Sequence, residues 1–191
     1  VGSEMCIRDR NIPFCVAGGI KSVEQAKVIL NSGADKVSVN SPAIERPELI
    51  HELANEFGSQ CVVVGIDSLM IEDDYIVYSK TGDENTATNT SIKTIDWIEK
   101  VQELGAGEIV LNCMDRDGVR DGYDIYQLNK MISISNIPVI ASGGAGSMKD
   151  FKNVLTQTNS SGALAASVFH KNLFNINDLK IYLKNESLNI R

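Results

Sequence analysis

The sequence is short of the residues that mark several common functions. Lys and Arg number 18 against 25 Asp and Glu, for a formal charge of −7. No Lys/Arg cluster offsets that balance, which excludes a nucleic-acid footprint. It also means that a phosphate ligand is expected on backbone amides rather than on a basic patch. There are two histidines, His51 and His170, and neither has a partner at ligand spacing, so no metal site is expected. The four cysteines, Cys6, Cys15, Cys61 and Cys113, include no C-x-x-C pair. Three of them sit in apolar strand-like runs, which reads as buried free thiols of a cytoplasmic protein. No apolar run approaches the length of a membrane span, and the N-terminus lacks the apolar core of a signal peptide. No Ser/His/Asp or Cys/His arrangement is present, and no cofactor motif was found. What remains is a 191-residue chain, 43% hydrophobic, able to bury one sizeable core.

What the sequence does have is a repeat. Ile12-Pro13 leads to Gly18-Gly19 and closes at Asn40-Ser41; Ile137-Pro138 leads to Gly143-Gly144 and closes at Ala166-Ser167, 125 residues further on at its start. Each copy reads as an apolar strand, a Gly-Gly turn, an amphipathic helix and a second strand ending in a small polar residue. A Gly-rich turn that opens a helix is a ready anion site, because free N–H groups and the helix dipole point the same way. Two such units point to a ligand with a phosphate at each end.

Strands are expected at 14–17, 36–40, 61–66, 108–114, 138–141 and 163–168. The run Cys61-Val62-Val63-Val64-Gly65-Ile66 is continuously apolar, as suits a parallel strand buried on both faces. Between the strands lie helices with readable ends. Ser22 and Gln25 form a capping box, Pro47 opens a helix that Gly58 ends, and a third runs from about Ile92 to Leu104 with Trp97 packed on it. Others fall near 148–157 and 177–185. Strict β–α alternation means a parallel sheet, and spacing near 25 residues fits a (β/α) barrel. The stretch Ser68 to Thr90 breaks the spacing, with a hairpin around Tyr75–Tyr78 and a polar tip, Thr81–Asn85. It is either a plain surface loop or a cover for a ligand.

A closed barrel of this type needs eight strands, and six are found, as if two βα units were missing at the front. Residues 1–10 show no periodicity and no cap, and are expected to be foreign or read-edge sequence before a single domain at 11–191. An open barrel would have two unpaired edges and poor solubility.

Asp67 ends the most apolar strand, which places a carboxylate at the active-site mouth of a barrel. Apolar flanks there would raise its pKa toward general acid/base use; a turn cap is the competing role. The stretch Asp115–Asp124 follows a strand and carries two Asp-Gly steps. Within it Asp117 would meet a substrate hydroxyl or act in proton transfer rather than bind phosphate. Ser167 is better placed as a phosphate-binding hydroxyl than as a nucleophile.

Seven motifs, in order, are shared with one family. They are Phe14–Ile20, Gly33–Lys36, Val64–Asp67, Gly105–Ile109, Asp115–Gly118, Ala141–Gly146 and Ala163–His170. From about Asn11 to the C-terminus the chain closely resembles the cyclase subunits of imidazole glycerol phosphate synthase, of histidine biosynthesis. The resemblance implies a (β/α)₈ TIM barrel of two similar half-barrels and lyase chemistry. Ammonia from a glutaminase partner converts a bisphosphorylated ribulosyl-formimino aminoimidazole carboxamide ribonucleotide into imidazole glycerol phosphate and aminoimidazole carboxamide ribotide. It implies a general acid/base role for Asp67, one phosphate on Gly19, Asn40 and Ser41, and the other on Gly118, Gly144, Ala166 and Ser167. It implies a substrate contact for Asp117, and an ammonia gate at Lys36 and Glu108. The family's other catalytic aspartate lies on a first strand that is not found here, so the chain by itself is expected to be inactive. Asn159–Ser161 replaces a Gly-Ala-Asp of many members, which should affect only a turn. Two alternatives stand beside this reading: the related phosphoribosyl-formimino isomerase of the same pathway, and a non-catalytic scaffold that binds phosphate and docks a glutaminase.

Overall fold

The computed structural model describes residues 12–190 apart from residue 84. The expectations for Cys6 and for residues 1–10 lie outside the described residues. Within them the β–α alternation is realised as a parallel sheet with helices on one side. The strands are β1 (Cys15–Ala17), β2 (Lys36–Val39), β3 (Val62–Ile71), β4 (Asp74–Ser79), β5 (Thr88–Lys93), β6 (Glu108–Cys113), β7 (Val139–Ser142) and β8 (Gly162–Leu164). β1, β2, β3, β6, β7 and β8 pair in that order, all parallel. The Ser68–Thr90 insert is a three-stranded extension. β3 runs on to Ile71 and pairs antiparallel with β4, which pairs antiparallel with β5.

The helices are α1 (Val23–Asn31), α2 (Ser41–Glu45), α3 (Glu48–Phe57), α4 (Thr94–Glu103), α5 (Ile125–Ile132), α6 (Met148–Gln157), α7 (Ser167–His170) and α8 (Ile176–Asn185). Two helix starts repeat at the same 125-residue offset as the Gly-Gly turns. Ser22 accepts from the Gln25 N–H at the start of α1, and Ser147 forms a capping box with Asp150 at the start of α6. In each case the serine halts the turn and satisfies a free donor. Helix α5 has no counterpart in the sequence expectations. Its cap is Asp124, which accepts from the Gln127 N–H at 2.9 Å, and Leu128 and Met131 bury its inner face. Residues Ser167 to His170 form a helix, not the end of the last strand. β8 stops at Leu164, and the chain turns at once into α7, just as β2 turns into α2 at Ser41.

The sheet is curled, since residues from β1 (Cys15) through β8 (Leu164) line one cavity. Its convex face meets the helices and is dry: Val37, Val39, Val62, Val64, Ile66, Ile109, Leu111 and Val139 are all buried, against residues such as Leu49, Ile50 and Leu53 of α3. Each such side chain contributes about 1.5–3 kcal/mol on burial. The concave face differs from the expectation of strands buried on both sides. Ser38, Gly65, Val110 and Ile140 are partly exposed, because that face lines the cavity. The same curvature corrects the reading of the thiols. Cys15 is exposed on the concave side, Cys61 is half-buried in a 3-10 turn before β3, and Cys113 alone is buried. The Asn159–Ser161 stretch is a turn, in which Ser160 N–H and hydroxyl meet Thr158 Oγ1 and Ser161 N–H donates to the Val139 carbonyl.

Candidate active site

Parallel strands bring all their C-terminal ends to one rim, where backbone pairing ends and side chains are free to converge. Asp67 on β3 stands beside Asn112 on β6, and Asn112 beside Ser142 on β7, in a single register row. The row becomes a chain of hydrogen bonds. Ser142 Oγ donates to Asn112 Oδ1 at 3.3 Å, and Asn112 Nδ2 donates to Asp67 Oδ1 at 2.8 Å. From the other side Asn40, just past β2, donates Nδ2 to Asp67 Oδ2 at 2.7 Å. Its amide lies over Gly65, where a side chain would stand 3.8 Å from it. The third donor comes from the insert, as the Thr81 hydroxyl bonds Asp67 Oδ2. Asp67 is thus 8% exposed and held by two amides and a hydroxyl. Two expectations for Asp67 are corrected: it does not end its strand, since β3 runs on to Ile71 to pair with β4, and its surround is not apolar, since polar residues from three other segments ring it. Charge-assisted bonds of this kind fix the direction of a carboxylate's free lone pairs.

On one side of Asp67 lies a cavity of about 680 Å³ whose mouth is formed by Gly18, Gly19, Lys21, Asn40, Ser41 and Lys80. On the other lies a pocket of about 220 Å³ lined by Asn112, Asp117, Gly118, Ser142, Gly144, Ala166 and Ser167, among others. Gly19, Asn40 and Ser41 are therefore together, and so are Asp117, Gly118, Gly144, Ala166 and Ser167. Asn40 lines the first and Asn112 the second, and both amides bond the same carboxylate.

The two Gly-Gly turns serve these pockets differently. Gly18 and Gly19 have φ of +95° and +73°, and a Cβ at either would meet nothing within 4 Å. Glycine is needed there for the backbone bend, and the space beside it belongs to the cavity. Gly143 and Gly144 have φ of +93° and +106°, and a Cβ on Gly144 would lie 2.1 Å from the Gly122 carbonyl oxygen. Here glycine lets the 115–124 loop lie directly on the turn, with Gly122 N–H donating to the Gly144 carbonyl at 2.9 Å. Tyr123 locks the same loop to β8: its hydroxyl donates to the Leu164 carbonyl at 3.0 Å and its ring meets Phe151 edge-on. Burial, with Asp150 nearby, pushes its phenol above the usual range.

The floor of the larger cavity is charged. Lys36 Nζ and Glu108 Oε2 are 2.5 Å apart, reaching from β2 to β6 across Val63. Cys15 lies there too; it opens onto the cavity, and partial desolvation by the cavity walls, then the Glu108 carboxylate, push its thiol up, with Lys36 opposing. Asn40 stands four residue steps beyond Lys36, just past β2, so floor and mouth are about 13 Å apart.

Four residues at this site escaped the sequence reading. Asn112 carries a signal only after β3 and β6 are paired in register. Thr81 lay within the tip already singled out as a possible ligand cover. Lys21 and Lys80 also line the first cavity; they stand 59 positions apart and form no cluster in sequence. Among the described residues no group of His, Cys, Asp and Glu is arranged to hold a metal ion, and no helix is long and apolar enough to cross a membrane.

Comparison with known proteins agrees with this architecture. The family described as histidine biosynthesis protein matches residues 4–175. The imidazole glycerol phosphate synthase subunit HisF of Pseudoalteromonas translucida is 60% identical over 190 residues, spanning 98% of this chain and 74% of that protein. The HisF subunit of Vibrio cholerae is 56% identical over 183 residues, spanning 95% of this chain and 71% of its own length. That of Aliivibrio salmonicida is likewise 56% identical over 183 residues. With two Gly-Gly pockets set about one aspartate on a parallel half-barrel, and with these relatives, the chain belongs to the histidine biosynthesis protein family.

Proposed function

We propose that the chain acts as a cyclase subunit of imidazole glycerol phosphate synthase, a lyase fed with ammonia by a glutaminase partner. The observation that carries the proposal is the pair of pockets on either side of Asp67, joined to it by Asn40 and Asn112. A ribonucleotide with a phosphate at each end would lay one phosphate against Gly19 and Ser41. The other would meet Gly118, Gly144, Ala166 and Ser167, glycine backbone and a hydroxyl that together line the second pocket. Its reacting middle then lies over Asp67. With its other lone pairs committed to three donors, that carboxylate exchanges protons in one direction, toward the substrate. Asp117, on the wall of the second pocket, is suited to a substrate hydroxyl.

Ammonia would enter at the floor, past the Lys36–Glu108 pair, and cross the concave cavity to Asp67. The ion pair closes that end when made and opens it when the two side chains part. Both are partly exposed, so parting them costs little, about 1 kcal/mol or less.

Equilibrium binding of the bisphosphorylated ribonucleotide tests the proposal. Ser41→Ala and Ser167→Ala should each weaken it by about tenfold, while Asp67→Asn leaves it within about threefold. Binding that ignores either serine would remove the corresponding phosphate site. Full turnover by the 191-residue chain supplied with ammonia would overturn the expectation that Asp67 needs a second aspartate.

A further inference from the structure

We infer that Lys80, at the start of the hairpin tip, is a phosphate-binding residue of the first pocket, with Glu45 as its competing partner. The inference rests on the reading of that pocket as an anion site. Lys80 reaches the pocket through two separate anchors. Its backbone N–H donates to Ser41 Oγ at 2.7 Å, and the next residue, Thr81, bonds Asp67. Lys80 itself holds φ at +57°, a left-handed conformation uncommon for a side-chain-bearing residue. That bend sends its backbone toward α2 and its side chain along the cavity mouth, where Nζ lies 3.2 Å from Glu45 Oε1. Lys80 and Glu45 both line the cavity.

Two chemical consequences follow from this arrangement. A serine hydroxyl that accepts from an N–H keeps its own proton to give, so Lys80 N–H leaves Ser41 oriented to donate to an anion. The Lys80 ammonium has three donors and Glu45 takes one, so a phosphate oxygen can share or replace Glu45. Both side chains are more than half exposed, so the ion pair is a weak competitor and the exchange is inexpensive. Without Lys80 the Glu45 carboxylate would face an arriving phosphate unneutralised. Lys80 therefore adds to the affinity of this end of the site, beside Lys21 on the same mouth, whereas the second pocket has no lysine or arginine on its wall.

Titrating the ¹⁵N-labelled chain with inorganic phosphate, while following the Gly19 and Gly144 amides, reads the two pockets separately. Lys80→Gln should weaken phosphate at Gly19 by about fivefold and flatten its salt dependence, and leave Gly144 unchanged. Lys80→Arg should keep the affinity, and Glu45→Gln should tighten it about two- to threefold. Wild-type affinity at Gly19 in Lys80→Gln overturns the inference and leaves the pocket reading intact. A Gly19 amide that does not respond to phosphate in the unmodified chain overturns the pocket reading itself, and the inference with it.

Discussion

Glycine pairs that look alike in sequence are required for different reasons, and substitution separates them. Gly19→Ala places a side chain at φ +73° in open space, a backbone strain of about 1 kcal/mol. Gly144→Ala adds to comparable strain a Cβ 2.1 Å from the Gly122 carbonyl, and backbone cannot swing aside as a side chain can. We expect about 3 kcal/mol or more for Gly144→Ala, through overpacking and loss of the loop seat, against about 1 for Gly19→Ala. Urea unfolding midpoints measure both; equal losses would show that the 115–124 loop does not rest on the second turn. The positions of both glycine pairs were legible in the sequence, but not this asymmetry. It depends on which loop folds back, and nothing in Gly143-Gly144-Ala145-Gly146 names Gly122 as the neighbour. The same holds for the carboxylate. Asp67 could be placed just after the run of valines, but not inside a strand that continues to Ile71 to carry the insert. Asn40, Thr81 and Asn112 reach it from 27, 14 and 45 residues away, and only the sheet register brings them together.

At the scale of elements, the hairpin that delivers Lys80 and Thr81 depends on how β4 is anchored. Alternation along β4 buries Tyr75 and Val77 beneath the insert, and Lys130 of α5 lies 5.4 Å from the Tyr75 ring centre. Burial, followed by the Asp124 charge, pushes the Tyr75 phenol up to about 12 from its ordinary 10. The folded state thus holds this proton more tightly than the unfolded chain does. Its contribution is complete below about pH 10 and is lost as pH rises through 10 toward 12. Stability should fall across that window, and Tyr75→Phe, which has no proton to lose, should fall less steeply. Urea midpoints between pH 9 and 11 decide it; parallel slopes would mean that Tyr75 is not the group responsible. Elements with strong periodicity were legible: α6 lies where 148–157 was expected, and the hairpin lies around Tyr75–Tyr78. Helix α5 was hidden by its own start, because Asp124 closes a run of charges and Asp-Gly steps that reads as loop. Ala163–Val168, apolar but for Ser167, reads as one strand, whereas the chain bends at Ala166 to begin α7.

For the molecule as a whole, the curled sheet that makes the site also leaves apolar surface in water. Among the described residues the parallel path ends at β8, whose Leu164 is 44% exposed, and the segment that follows β8 in sequence exposes Leu173, Ile176 and Ile181 by 51–58%. Parallel sheets are normally covered on both faces, and an uncovered edge with apolar neighbours pairs readily with another chain. The formal charge of −7 opposes such contact between copies. Salt therefore separates the two forces: screening weakens the repulsion and leaves apolar burial intact. Sedimentation velocity should show association that grows with protein concentration and with added salt, and Leu164→Lys combined with Ile176→Lys should suppress it while helix content is unchanged. Association that falls with salt would place the contact on charged surface instead. A monomer at every concentration, unfolding in one cooperative step, would show that the β8 edge is covered within the chain itself.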